Sequence, residues 1–159
     1  LMDAHAKLLA DGFDHHVIVI GDGDERENLN KQAQKLGVTE SFQFLGSLLN
    51  PYPYVKNADF FILPSESESW PLIIADALIL QKPIISTNVG GIPEMILHNE
   101  TGYLINYETS EMYNAMRKFL TEPEFVNQLQ ENLTDIEKQF DNRKIFDAVE
   151  NIIINLARP

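Results

Sequence analysis

No cysteine occurs among the 159 residues. That excludes disulfides, thiolate metal sites and cysteine nucleophiles together, and it fits a reducing compartment. Basic residues are scarce too: 12 Lys+Arg stand against 24 Asp+Glu, a formal net charge of −12. Such a surface excludes broad electrostatic binding to nucleic acid or anionic lipid, which both need clustered cations. It leaves room for one small anion held by backbone amides. Long hydrophobic runs are also missing. The longest, Leu72 to Leu80, is broken by Asp76 and falls far short of the ~20 residues that a spanning helix needs. The four histidines, His5, His15, His16 and His98, have no metal-ligand spacing and read as surface or structural. No Ser/His/Asp triad can be assembled.

What is present is ordinary for a globular chain. Hydrophobic residues make up 44%, and a chain of this length buries roughly 70% of its unfolded surface, enough for one core. The start, LMDAHAKLLADG, lacks the charged and apolar regions of a secretion leader. It already reads as helix, so the chain is expected to begin inside an element, as a piece of something longer.

Short apolar runs then alternate with helix-period segments. Strands are predicted over His16 to Ile20, Phe42 to Leu45, Asp59 to Leu63, Pro83 to Ser86 and Gly102 to Ile105, each ended by Gly or Pro or followed by polar turn residues. Between them the pattern predicts helices over Asp24 to Leu36, Asn50 to Asn57, Trp70 to Leu80 and Glu94 to Leu97. Beyond Thr109 the strands stop, and polar helices are expected near 110–120, 123–132, 134–140 and 143–156. Strand–helix alternation implies right-handed crossovers and a doubly wound parallel sheet, α/β in class, with residues 109–159 as a helical tail of the same single domain. Such sheets bind ligands beyond the carboxyl ends of their strands.

Three segments occupy those places. Gly21-Asp22-Gly23 is a tight turn or a ligand-contacting one. It is not a dinucleotide fingerprint, because Arg26 stands where the third glycine belongs, and it is not a P-loop. In Ser65-Glu66-Ser67-Glu68-Ser69-Trp70-Pro71-Leu72, Ser69 is a suitable N-cap and Pro71 suits a first helical turn. The amides around Trp70 to Ile73 would then be free at the positive end of a helix dipole, a seat for phosphate or diphosphate. Glu68 can act as a dipole partner or as an acceptor of ligand hydroxyls. Asp76 lies in a helix apolar on every face and is expected to be buried, so it needs a partner: a backbone amide, a lysine, or two hydroxyls of a polyol such as ribose. Asn88-Val89-Gly90-Gly91-Ile92-Pro93-Glu94 serves loop geometry or ligand contact.

In this order the motifs resemble the C-terminal, donor-binding half of a GT-B fold retaining glycosyltransferase, of the glycosyl transferases group 1 (family four). The resemblance runs over about residues 1–120. It rests on Val17 to Gly23 with Leu29, Phe44-Leu45-Gly46, Ala58-Asp59 to Pro64-Ser65, Glu68 to Asp76, Gly90 to Glu94, and Thr101-Gly102-Tyr103-Leu104. The family signature is two glutamates separated by seven residues. Glu68 matches the first, which implies a catalytic-site contact with donor-sugar hydroxyls. Asp76 falls on the second, which implies contact with ribose. Ser69, Trp70, Pro71 and Leu72 match the diphosphate-binding helix start, and Gly21, Gly23, Ser47 and Leu48 the nucleotide region. Two departures stand out: Asp76 is one methylene shorter than the usual Glu, and Ser69 replaces a common Gly.

The resemblance implies a UDP- or GDP-linked sugar as substrate, with no metal or other cofactor. It also implies a separate N-terminal acceptor domain that carries the rest of the site, including the Arg and Lys that neutralise the leaving diphosphate. A cytoplasmic enzyme of polysaccharide or glycolipid assembly is expected, with peripheral membrane association of the full enzyme and no nucleic-acid partner. Residues 1–159 alone are expected to be catalytically silent. The competing readings are a GT-B-fold nucleotide-sugar epimerase and a degenerate, non-catalytic binding module.

Overall fold

A computed structural model describes residues 1–134 and 136. The helices expected at 134–140 and 143–156 therefore fall almost wholly outside the described residues. The order of elements is α1 (Met2–Ala10), β1 (Val17–Ile20), α2 (Arg26–Leu36), β2 (Phe42–Gly46), α3 (Tyr52–Asn57), β3 (Phe61–Leu63), α4 (Leu72–Ile79), β4 (Ile84–Thr87), α5 (Ile92–Met95), β5 (Tyr103–Ile105), α6 (Thr109–Thr121) and α7 (Pro123–Asn132). All five expected strands form, and every strand pair is parallel. They do not form one ladder, however. β1 pairs with β2, and β3, β4 and β5 form a second sheet in that order.

Strand β4 shows why the sheet must be covered on both faces. All four of its residues are buried, and neighbouring side chains of a strand point to opposite faces. Ile85 fills a cluster with Ala4 and Leu8 of α1 and Met112, Met116 and Phe119 of α6. Ile84 fills a second cluster with Ile74, Ala77 and Leu78 of α4. A third cluster holds Met2, Ala33, Val38 and Phe42 around the first sheet.

Local chemistry sets one end each of α2 and α6. α2 stops at Gly37, whose φ of 71° is the left-handed conformation that glycine adopts at low cost. Its amide and that of Val38 bond back to Gln34 and Ala33. α6 opens under a clamp in which Glu111 accepts from both the backbone and the side-chain nitrogen of Asn106, each at 2.7 Å. Among the described residues, no helix is long and apolar enough to cross a membrane.

The histidines build a structural network rather than a metal site. His5 is fully buried on α1; its Nδ1 meets His15 Nε2 at 2.8 Å and its Nε2 meets Ser41 Oγ at 2.8 Å. The carbonyl of Phe13 can only accept, so His15 donates to it from Nδ1, at 2.9 Å. The Ser41 hydroxyl in turn donates to the Val38 carbonyl at 3.3 Å. This chain ties α1 to the loops before β1 and β2.

Candidate functional site

The β3–α4 loop is fixed from beneath by the end of β4. Ser86 and Thr87 are buried and donate their hydroxyls to the carbonyls of Leu63 and Ser65, at 3.1 and 2.6 Å. From the side it is fixed by the diglycine. Gly91 donates its amide to the Ser69 carbonyl at 3.1 Å. A Cβ on Gly90, whose φ is +54°, would overlap the Glu68 carbonyl, and one on Gly91 would overlap the Ser69 carbonyl. Close backbone approach therefore accounts for both glycines, and it makes Gly90-Gly91 the wall against which Glu68 to Trp70 is moulded.

Within that loop Glu68 is half-buried, and its Oε1 accepts the Ser65 hydroxyl at 2.7 Å. Ser69 is exposed and Trp70 is 50% exposed. The helix begins two residues later than the sequence pattern predicts. Its cap is Pro71, in extended conformation, with no side-chain cap, so Ser69 is not the N-cap. The ring of Pro71 explains the shift, because a residue before proline is pushed out of the helical region. The first bond of the turn runs from Ile74 to the Pro71 carbonyl, at 3.0 Å. The amides of Leu72 and Ile73 thus precede the ladder and have no acceptor among the described residues. They are the free donors expected at a helix start, now placed two residues more narrowly than the sequence allowed.

Asp76 corrects a second expectation. It is half-buried, not buried. Only Ile74, Ala77 and Leu78 of α4 face the core, while Leu72 and Ile79 are 72% and 44% exposed. Asp76 falls on the stripe of Leu72 and Ile79, at helical spacings of four and three residues. An all-apolar helix here covers the sheet with one side and leaves the other uncovered. Among the described residues the Asp76 carboxylate makes no hydrogen bond and no ion pair. It is available on the same helix face as Leu72, whose amide is one of the two free donors.

The remaining candidate residues gather at the end of the first sheet. Gly21, with a φ of 133°, donates its amide to the Gly46 carbonyl at 2.9 Å. Gly23 bonds to the side chain of Asp22. Ser47 is exposed and Leu48 half-buried, directly after Gly46. The turns after β1 and β2 are thereby joined. Sequence reasoning overlooked the residue that pins them, Arg26. Its Nη2 donates to the Phe44 carbonyl at 3.1 Å and its Nη1 lies 3.6 Å from Asp22. Its identity showed only as a broken glycine pattern. A Cβ on Gly46 would stand 2.9 Å from Arg26 Nη1, at a φ of +75°. Gly46→Ala is therefore expected to cost about 1–2 kcal/mol. Part of that loss should vanish in the Gly46→Ala/Arg26→Ala pair, measured by urea unfolding.

A cleft of about 250 Å³ at the ends of β3 to β5 is lined by Pro64, Thr87, Ile105 and the start of α1, and a shallower one of about 310 Å³ runs beside β2. Neither contains Glu68 or Asp76. The start of α4 is an open shelf. Among the described residues no group of three or more His, Asp or Glu is placed to hold a metal ion.

Comparison with known proteins adds to this geometry. The profile of the family described as glycosyl transferases group 1 matches residues 1–135. N-acetyl-alpha-D-glucosaminyl L-malate synthase of Bacillus anthracis is 29% identical over 160 residues, which is 99% of this chain and 42% of that protein. The 2-deoxystreptamine N-acetyl-D-glucosaminyltransferase of Niallia circulans is 36% identical over 102 residues, 62% of this chain and 26% of that protein. Among solved structures, Anabaena HepE in complex with UDP superposes with a TM-score of 0.83 at 22% identity, over 95% of this chain and 44% of that one. The chain thus spans less than half the length of these relatives.

Proposed function

Because the chain belongs to the glycosyl transferases group 1 family, we propose that it is the nucleotide-sugar donor-binding half of a retaining glycosyltransferase. The sugar would pass from a nucleoside diphosphate to an acceptor hydroxyl in polysaccharide or glycolipid assembly, with the acceptor held by a separate N-terminal domain. One observation carries the reading: the two free amides of Leu72 and Ile73 stand, in chain order, between two carboxylates, Glu68 and Asp76, that have no cationic partner among the described residues. Amides at a helix start take the diphosphate, where negative charge grows as the sugar departs. Glu68 accepts donor-sugar hydroxyls and Asp76 accepts ribose hydroxyls. The turns at Gly21 to Gly23 and Ser47-Leu48 receive the base. UDP in the HepE complex supports a uridine donor. An open shelf suits a site whose second wall comes from another domain.

Calorimetry with UDP and UDP-glucose tests the division of labour. Loss of one charge-assisted hydrogen-bond partner corresponds to roughly a ten- to hundredfold weaker Kd. Asp76→Ala is expected to weaken both ligands by that factor. Glu68→Ala should weaken UDP-glucose and leave UDP unchanged. Absence of binding by the parent chain to either UDP or GDP compounds at high protein concentration would favour the non-catalytic module instead.

A further inference from the structure

Two hydroxyls beyond the ends of β3 and β4 act in series. Thr87, buried at the end of β4, donates to the Ser65 carbonyl at 2.6 Å. Ser65 donates its own hydroxyl to Glu68 Oε1 at 2.7 Å. Among the described residues, the side chains of Thr87, Ser65 and Glu68 make no other hydrogen bond, and Glu68 is in no ion pair.

The Ser65–Glu68 bond adds nothing to the anchoring of the loop, because both of its ends lie in that loop, three residues apart. The backbone there is already held from outside. Thr87 holds it at Ser65, the Gly91 amide holds it at Ser69, and the close approach of Gly90 confines the Glu68 carbonyl. What the Ser65 hydroxyl fixes is a side chain. A half-buried carboxylate keeps access to water and needs no internal partner to offset burial, yet holding it costs rotamer freedom. A serine hydroxyl has one proton to give, and Oε1 takes it. Oε2 keeps all of its acceptor capacity, in a fixed place. The Asp76 carboxylate, which has no bond among the described residues, is under no such constraint.

We propose that Ser65 and Thr87 are positioning residues for Glu68. Thr87 sets the backbone at Ser65, Ser65 ties down Oε1, and the pair presents Oε2 to one hydroxyl of the donor sugar. Neither Ser65 nor Thr87 touches the donor. The sugar as the group that meets Oε2 rests on the donor-binding reading, whereas the ordering of Glu68 by Ser65 is a property of the free protein.

Two measurements on residues 1–159 test this. Carbon-13 relaxation of the Glu68 side chain reads the relay with no ligand present. Ser65→Ala is expected to lower the order parameter of the Glu68 γ-methylene below about 0.6, the range of flexible groups, while Ser65→Thr, which keeps a hydroxyl, stays at the parent's value. Calorimetry reads the consequence. Ser65→Ala should weaken UDP-glucose roughly two- to tenfold, the cost of ordering one mobile side chain, and leave UDP unchanged. Thr87→Val should act in the same direction by a smaller factor, and Thr87→Ser should match the parent. In a Glu68→Ala background, Ser65→Ala should have no further effect, since nothing is left to position.

A Glu68 side chain as ordered in Ser65→Ala as in the parent would overturn the proposal, whether or not a nucleotide sugar binds. So would a Ser65→Ala effect on UDP-glucose that persists without the Glu68 carboxylate, because Ser65 would then meet the ligand itself. A parent that binds neither UDP nor UDP-glucose would instead sink the donor-binding reading, and with it the sugar at Oε2. Relaxation would still decide whether Ser65 orders Glu68.

Discussion

Gly90→Ala is expected to destabilise the protein by about 3 kcal/mol and to abolish measurable UDP-glucose binding. The new methyl would meet the Glu68 carbonyl, a backbone atom that cannot swing aside, at a φ of +54° that side chains rarely adopt. Overpacking costs about 1–3 kcal/mol and a left-handed non-glycine residue about 1–3 more when strained. Relief comes only if the loop carrying Glu68 moves, so stability and ligand affinity fall together. Gly91→Ala should act in the same direction, because its Cβ meets the Ser69 carbonyl and comes within 3.0 Å of the Trp70 ring. Gly23→Ala is the control for stability alone: no atom lies within 4 Å of its Cβ and its φ is not positive. Urea midpoints with parallel calorimetry decide the matter, and a Gly90→Ala protein as stable as its parent would refute this account of the loop.

Acid should loosen the protein through His5. Burial first, and then the neighbouring His15 and His16, push its pKa from 6.5 down to about 4. Between those values the unfolded chain binds a proton that the folded chain refuses, so stability falls with falling pH. The contribution is intact above pH 6.5, declines through the window, and from this group falls no further below about 4. The loss approaches roughly 3 kcal/mol. His5→Gln keeps a polar partner for Ser41 and should flatten the slope of unfolding free energy between pH 6.5 and 4. A slope equal to the parent's would place the titration on other groups.

Much of this architecture is readable from the amino acids. The runs VIVI and PIIS have no periodicity but that of a buried strand, and Gly37 announces the end of α2. The limits were physical. Nothing in Trp70-Pro71-Leu72 distinguishes proline in the first turn from proline as the cap, and the difference moved the helix start by two residues and removed Ser69 from its expected role. Asp76 was expected to be buried because its neighbours are apolar all round. Composition, however, does not tell which side of a helix the sheet covers. The separation of β1 from β3 was equally invisible, since a sequence shows the order of strands and not which lie adjacent. Arg26 was legible only as a missing glycine, because its partners, the Phe44 carbonyl and Gly46, lie about 20 residues downstream.

The Ser65–Glu68 bond has a consequence for recognition. With one carboxylate oxygen already engaged and its backbone carbonyl lodged against Gly90, the Glu68 side chain is confined to few rotamers before any partner arrives. Confinement of this kind removes beforehand part of the roughly 0.5–1.5 kcal/mol of ordering entropy that a mobile side chain loses on association. Selectivity at this position would then come from rigidity: a hydroxyl in the right place meets a waiting acceptor, and one displaced by an ångström finds no side chain free to follow it.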